Sequence, residues 1–144
     1  MSPVPTDPYV ALDVKIPSDV GEIERVVRLV TDHCQTLHLP VRVCAFRIPV
    51  ALTEALANAI LRGNRNIANG EVRLRTVVSP ETLTFDVIDQ GPGFDLSAST
   101  REPSDLNRDR EDGRGLFLMR ELMDTVEQFR EPGDGNVVRM TIHR

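Results

Sequence analysis

The stretch Val50-Ala-Leu-Thr-Glu-Ala-Leu-Ala-Asn-Ala-Ile-Leu61 decides the reading of this chain. Its apolar residues run nearly all the way round a 3.6-residue period, the pattern of a helix buried on most of its faces. Leu52, Leu56 and Ala59 share one side. Glu54 and Asn58, four residues apart, share the opposite side with Val50 and Leu61. A carboxylate and an amide in such company are costly unless they are paired or bound to something. Two readings stand at this point. One is an internal hydrogen-bonded pair; the other is a pocket floor, where the amide holds a metal ion and the carboxylate takes a proton.

Outward from this stretch the chain resolves into one domain. The helix is expected over roughly 41–63, with Pro49 bending it or opening its second half. Upstream, Val10, Leu12, Val14 and Ile16 alternate with other residues as a strand over 9–16. Asp19 with Glu22 three residues on can cap a helix that runs to about Leu39, where Pro40 stops it. Residues 1–8 carry three prolines and read as a flexible arm. Downstream, 65–70 is a polar turn, and 71–79 and 82–89 form a hairpin with Leu83, Phe85 and Val87 on one face. A third helix is expected from near Gly115 to about Asp124, and 125–130 with 137–143 closes the chain as a second hairpin. The irregular stretch 90–112 has the length of a functional lid or of a disordered segment. The order predicts an α+β two-layer sandwich: a mixed, mainly antiparallel sheet covered on one face by about three helices.

Two further stretches carry chemistry. In Asp86-Val-Ile-Asp-Gln-Gly-Pro-Gly-Phe-Asp95 a strand ends at Asp89, and Gly91 and Gly93 follow at once. Glycines there let a flat ligand approach the main chain, and the Asp89 carboxylate can accept from an exocyclic amine such as that of adenine. A plain turn is the other reading. In Asp112-Gly-Arg-Gly-Leu-Phe-Leu-Met-Arg-Glu-Leu-Met-Asp124, Gly113 and Gly115 precede a helix whose Leu116, Met119, Leu122 and Met123 face the core. Free N–H groups at such a helix start bind phosphate well. Neither the GxxxxGK[ST] of a P-loop nor a GxGxxG after the first strand is present, which disfavours both of those nucleotide folds.

Composition sets the surroundings of this chemistry. Of 144 residues 40% are hydrophobic and 27% charged, as in an ordinary soluble domain. The net charge of −5 gives no basic field for nucleic acid or anionic lipid, so an anionic ligand needs local help. No apolar run is expected to reach the 18 or more residues of a membrane span, and the N-terminus has no signal-peptide pattern. Cys34 and Cys44 form no CxxC or metal spacing and read as reduced core thiols in a cytoplasmic protein.

Taken in order, the three stretches resemble the GHKL ATPases, the superfamily of gyrase, Hsp90, histidine kinases and MutL. Glu54 and Asn58 resemble its N box, Asp89, Gly91 and Gly93 its G1 box, and Gly113 and Gly115 its G2 box. The wording TEALANAI, DQGPGF and GRGLFLMRELMD is most similar to the anti-sigma serine kinases of the RsbW and SpoIIAB type, over about Tyr9 to Arg144. The resemblance implies the Bergerat ATP-binding fold, with an ATP lid over about 94–112. It implies ATP and Mg²⁺ as cofactors, with Asn58 as the metal ligand and Glu54 as general base. Asp89 would be the adenine contact, and Gly91, Gly93, Gly113 and Gly115 close backbone contacts. Arg62, Phe94, Arg114, Leu116 and Asn136 complete the implied nucleotide site. Two positions depart from the pattern: Arg62-Gly63 stands where many relatives have His-Gly, and Asn136 replaces a threonine. Arg108, Arg110 and Arg114 stand either to meet phosphates or, for the first two, to form a solvated loop.

The resemblance also implies partners. A STAS-type anti-anti-sigma protein would present a serine to be phosphorylated, and a sigma factor would be sequestered in competition with it. Relatives are commonly homodimers. Three alternatives stand beside this reading. An ATP-binding module could hold a regulator without transferring phosphate. A histidine kinase catalytic domain would need a phosphoacceptor histidine, and neither His33 nor His38 is followed by the usual acidic residue. A gyrase- or MutL-like fragment of 144 residues would lack its transducer domain.

Overall fold

Alternate burial along Glu71–Val78, where Val72, Leu74, Thr76 and Val78 are buried, shows a strand with one face on the core. The edge strands of the sheet it joins are more exposed, and the middle strands are more continuously buried. A computed structural model describes residues 7–92, 110–133 and 135–144, with backbone alone for 110–114. Its strands are β1 (Tyr9–Pro17), β2 (Glu71–Val78), β3 (Thr82–Asp89), β4 (Thr125–Glu131) and β5 (Gly135–His143). They form one sheet in the order β1-β2-β3-β5-β4, and every pairing is antiparallel. Three helices, α1 (Ile23–Gln35), α2 (Ile48–Asn58) and α3 (Arg110–Leu122), complete the α+β fold.

The core lies between helices and sheet. Val26, Val30 and Cys34 of α1, Leu52 and Leu56 of α2, and Leu116 and Met119 of α3 meet Leu74, Phe85, Val87 and Met140 of the strands. Leu52 and Leu56 are fully buried, and truncating either to alanine costs about 2–5 kcal/mol. The other face of the sheet carries cross-strand charge. Asp86 on β3 receives Arg139 of β5 through Nε at 2.7 Å and Nη2 at 2.9 Å, and Arg75 of β2 through Nη2 at 3.1 Å. Burial raises the Asp86 pKa, but the bonds from Arg139 and Arg75 outweigh it and hold it below the ordinary aspartate value.

Several local expectations are corrected. Cys34 and Cys44 are joined as a disulfide, because the turn after α1 brings their Cα atoms to 5.8 Å. The first helix ends at Gln35, and Asp19 caps only the short 3₁₀ turn Val20–Glu22, its Oδ1 accepting from the Gly21 N–H at 2.9 Å. Glu22 pairs with Arg25 instead of closing a capping box. Pro49 opens α2, one of its two expected roles, directly after a wide π turn at Val43–Arg47, and a second π turn at Ala59–Gly63 follows α2. The resulting helical run Val43–Gly63 is 21 residues long and apolar enough, by length and composition, to span a membrane. Half of that window is buried inside the fold, where it serves as the central core helix. The third helix starts at Arg110, five residues before Gly115, so Gly113 and Gly115 lie within it and not ahead of it. Residues 1–6, most of the expected arm, and 94–109 of the expected lid lie outside the described residues.

Candidate nucleotide site

Asp89 ends β3 on the same face as Leu83, Phe85 and Val87, which drives its carboxylate toward the helices. It is 1% exposed. The Gly91 N–H donates to its Oδ1 at 2.9 Å, and Asn136 Nδ2 on the neighbouring β5 donates to its Oδ2 at 3.1 Å. Burial raises its pKa above the ordinary aspartate value, while the Asn136 bond, the Gly91 N–H and the charge of Arg130 pull it back. An ionised carboxylate accepts at four lone-pair sites, so two donors leave capacity for an incoming amine.

Steric fit holds this carboxylate in place. A β-carbon on Gly63, at the end of the π turn after α2, would overlap the Asp89 carboxyl group. A β-carbon on Gly91 would overlap the Gly63 carbonyl oxygen. The helix end and the strand end therefore touch only because both residues lack side chains. Gly135, at φ +108°, similarly lets β5 pass the Asp89 carbonyl. Asn64 secures the junction. Its Oδ1 accepts from the Gln90 N–H at 2.7 Å, and its Nδ2 donates to the Glu71 carbonyl at 2.9 Å and to Ser18 Oγ at 3.2 Å.

A second cluster lies where α3 crosses α2. A β-carbon on Gly115 would stand 3.1 Å from Glu54 Oε2 and 3.4 Å from Asn58 Nδ2, so the glycine lets α3 settle onto both side chains. Arg47 fixes the far end of the crossing, donating through Nε to the Leu122 carbonyl at 2.7 Å. Asn58 is buried, and its Nδ2 has no hydrogen-bond partner among the described residues. A buried donor without a partner costs about 1–3 kcal/mol, so a group that accepts from Asn58 Nδ2 would be favoured here. The Asn58 carboxamide oxygen is of the kind Mg²⁺ takes, a hard cation often held by one or two protein ligands plus substrate phosphates, while the Nδ2 N–H suits a phosphate oxygen and not the ion. Among the described residues no group of three or more His, Cys, Asp or Glu could hold a metal by itself.

The residues expected from sequence divide accordingly. Glu54, Asn58 and Gly115 form one cluster, and Asp89, Gly91 and Asn136 the other. Leu116 is buried in the core beneath α3. Arg62 is half-buried and engaged with the rest of the chain. Gly113 is described by its helical backbone, and of the Arg114 side chain nothing is described. Gly93, Phe94 and Arg108 lie outside the described residues. Sequence reasoning missed Asn64 and Gln128, whose Nε2 donates to Asn136 Oδ1 at 3.1 Å. It also missed Arg130, whose Nη1 donates to the Gly91 carbonyl at 3.3 Å. Strand alternation puts Gln128 and Arg130 on the face of Val126 but marks neither as functional. A cleft of about 630 Å³ near Arg73, Gln90 and Arg130 includes none of Glu54, Asn58 or Asp89, so buried polar chemistry locates the site better than cavity size.

Comparison with known proteins agrees with this geometry. The chain is 33% identical over 96 residues to the anti-sigma F factor of Thermoanaerobacter sp. (strain X514), covering 65% of this chain and 66% of that protein. It is 32% identical over 96 residues to the anti-sigma F factor of Clostridium beijerinckii, covering 63% and 65%. Against the serine-protein kinase RsbW of Listeria monocytogenes serovar 1/2a the figures are 30% over 92 residues, covering 60% and 59%. The matched stretch thus spans just under two thirds of the anti-sigma F factors' length. The family profile described as histidine kinase-like ATPase domain matches residues 16–142, nearly the whole chain, and the chain belongs to that family.

Proposed function

We propose that this chain binds ATP with Mg²⁺, transfers the γ-phosphoryl group to a serine of a STAS-type anti-anti-sigma protein, and sequesters a sigma factor in competition with that partner. The observation that carries the reading is the buried Asn58 amide with its unmatched Nδ2, on one helix face with Glu54 and beneath Gly115. The names of the anti-sigma F and RsbW relatives support the regulatory class.

In this reading Asp89 accepts a hydrogen bond from the adenine amine, which places the triphosphate toward Asn58. The N–H groups of Arg110 to Asp112 at the start of α3 have no partner within the helix and suit phosphate oxygens. Asn58 would hold Mg²⁺ together with the phosphates, and the ion when bound would supply charge neutralisation. Glu54 accepts the serine Oγ proton as Oγ forms its bond to the γ-phosphorus; the bond to the β–γ bridging oxygen breaks, and ADP leaves.

Two variants test the roles separately. General bases contribute typically about 10²–10⁴-fold, so Glu54→Ala should lower phosphorylation of a cognate serine protein by that order. Its ATP affinity should change less than about threefold, under 1 kcal/mol. Asn58→Ala should weaken Mg²⁺-dependent ATP binding itself. Transfer by Glu54→Ala at the wild-type rate refutes the base. A wild type that binds ATP and its partner but transfers nothing is a binding module.

A further inference from the structure

Asn64, Gln90 and Glu71 close a ring of three hydrogen bonds where the helical run of α2, the start of β2 and the end of β3 meet. Asn64 Oδ1 accepts from the Gln90 N–H at 2.7 Å, Gln90 Oε1 accepts from the Glu71 N–H at 2.8 Å, and Asn64 Nδ2 donates to the Glu71 carbonyl at 2.9 Å. Each bond has a main-chain group at one end, so neither amide can turn over without setting two donors or two acceptors face to face. Asn64 is 4% exposed. Its own N–H donates to the Ala59 carbonyl at 2.8 Å, closing the π turn that starts directly after Asn58. Single π turns of this kind are frequent at functional sites.

The ring lies between the two clusters of the candidate site. On the helix side, Asn58 is the last residue of α2. On the strand side, the Gln90 N–H belongs to the peptide that follows Asp89. The carbonyl of that same peptide passes Gly135, where a β-carbon would overlap it. A peptide gripped at its N–H and at its carbonyl cannot rotate. It holds in place the Asp89 carboxylate before it and the Gly91 N–H after it, which are bonded to each other.

We propose that Asn64 is a positioning residue of the nucleotide site: it sets the distance between the Asp89 end, which takes the base, and the Asn58 end, which takes the phosphates. The inference rests on the nucleotide reading above and adds to it a side chain that need not touch the ligand. A ligand held at one end gains from a second contact only where that contact lies within its span. Without the Asn64 bonds, the helix end and the strand end meet only through the close approach of Gly63 to Asp89 and Gly91. The loop after β3 is then free to draw away from α2, and the two contacts no longer match one nucleotide.

Calorimetry of the full chain with ADP reads the effect. Asn64→Leu keeps the bulk and removes both bonds, and should lose about tenfold or more in ADP affinity as Asp89 moves off the base. Asn64→Ser, whose shorter side chain cannot reach both partners, is the milder variant and should lose less. Val30→Ala, in α1, which supplies no residue to either cluster, should melt lower and keep ADP affinity within about threefold. In an Asp89→Asn background Asn64→Leu should cost little more, because the spacing no longer serves that contact and the losses fall short of additive. In the nucleotide-free wild type the Gln90 amide should exchange as slowly as the core strands, although it lies beyond the end of β3. ADP affinity that is unchanged in both Asn64 variants, or that falls with melting temperature alike in Asn64→Leu and Val30→Ala, overturns the proposal. Additive losses, or a Gln90 amide that exchanges like an exposed loop, overturn it as well. A wild type that binds no ADP overturns the nucleotide reading itself, and the spacing with it.

Discussion

Gly63→Ala is the sharpest probe of how the fold builds its site, because it disturbs Asp89 without changing any polar group. The new β-carbon would stand 2.9 Å from the Asp89 β-carbon and would overlap its carboxyl group. Restoring an ordinary contact moves Asp89 by about half an ångström at its β-carbon and more at its oxygens. Bonds of 2.9 Å from Gly91 and 3.1 Å from Asn136 do not survive such a shift with good geometry. Overpacking costs about 1–3 kcal/mol. A weakened bond to a charged group adds about 1 kcal/mol or more. The expected loss is therefore about 2–4 kcal/mol, or roughly 7–13 °C in melting temperature for a domain of this size. Differential scanning calorimetry reads the stability, and ADP titration below the melting range should show affinity down about tenfold. A Gly63→Ala protein that melts with the wild type and binds ADP equally well would refute the contact between helix end and strand end.

Asp86→Ala removes the acceptor shared by Arg75 and Arg139, whose side chains are 20% and 37% exposed. Partial solvation should hold the loss in urea unfolding to about 1–3 kcal/mol, below that of a fully buried pair. Because the Asp86 pKa is lowered on folding, its stabilisation is present above the unfolded aspartate value and lost as pH falls through the folded one. Asp86→Asn should therefore flatten the acid limb of the stability curve below about pH 4. Asp89 has the opposite sign: its folded pKa is raised, so its contribution is complete at low pH and lost as pH rises through that value. Relative to wild type, Asp89→Asn should gain stability above about pH 4 in the same assay. Reducing Cys34–Cys44, which closes a loop of sequence separation 10, should cost about 3 kcal/mol. The double Cys34→Ser, Cys44→Ser variant should melt identically with and without dithiothreitol.

What the sequence reveals of this fold is what has a local period. Alternation in β2, the shared face of Leu83, Phe85 and Val87 in β3, and the face shared by Leu116, Met119, Leu122 and Met123 are realised as read, although β3 is buried on both faces from Phe85 to Asp89. Contacts made through space have no such signature. Cys34 and Cys44 join because of the turn between them, which spacing alone does not disclose. Two π turns leave hydropathy unchanged while widening the helix. The α3 start was misplaced because glycines read as breakers, yet Gly115 is tolerated inside a helix that needs its bare backbone against Glu54 and Asn58. For the candidate site, Glu54, Asn58, Asp89 and Asn136 were legible from motif wording. Asn64 and Gln128 were not, since their partners lie on other elements.

The strand order β1-β2-β3-β5-β4 has a consequence for synthesis. β5 is made after every other element described, yet it occupies an interior position between β3 and β4. Until it emerges, Asp89 lacks Asn136, which lies 47 residues further along. At about 5–20 residues per second, that interval is roughly 2–9 s of translation. During it, β3 offers an open edge and the Asp89 carboxylate lacks one of its two donors. A nascent chain therefore cannot assemble the candidate adenine site early, and one cut off before β5 cannot assemble it at all. Nucleotide binding would thus report that translation has passed β5 and that β5 has found its place.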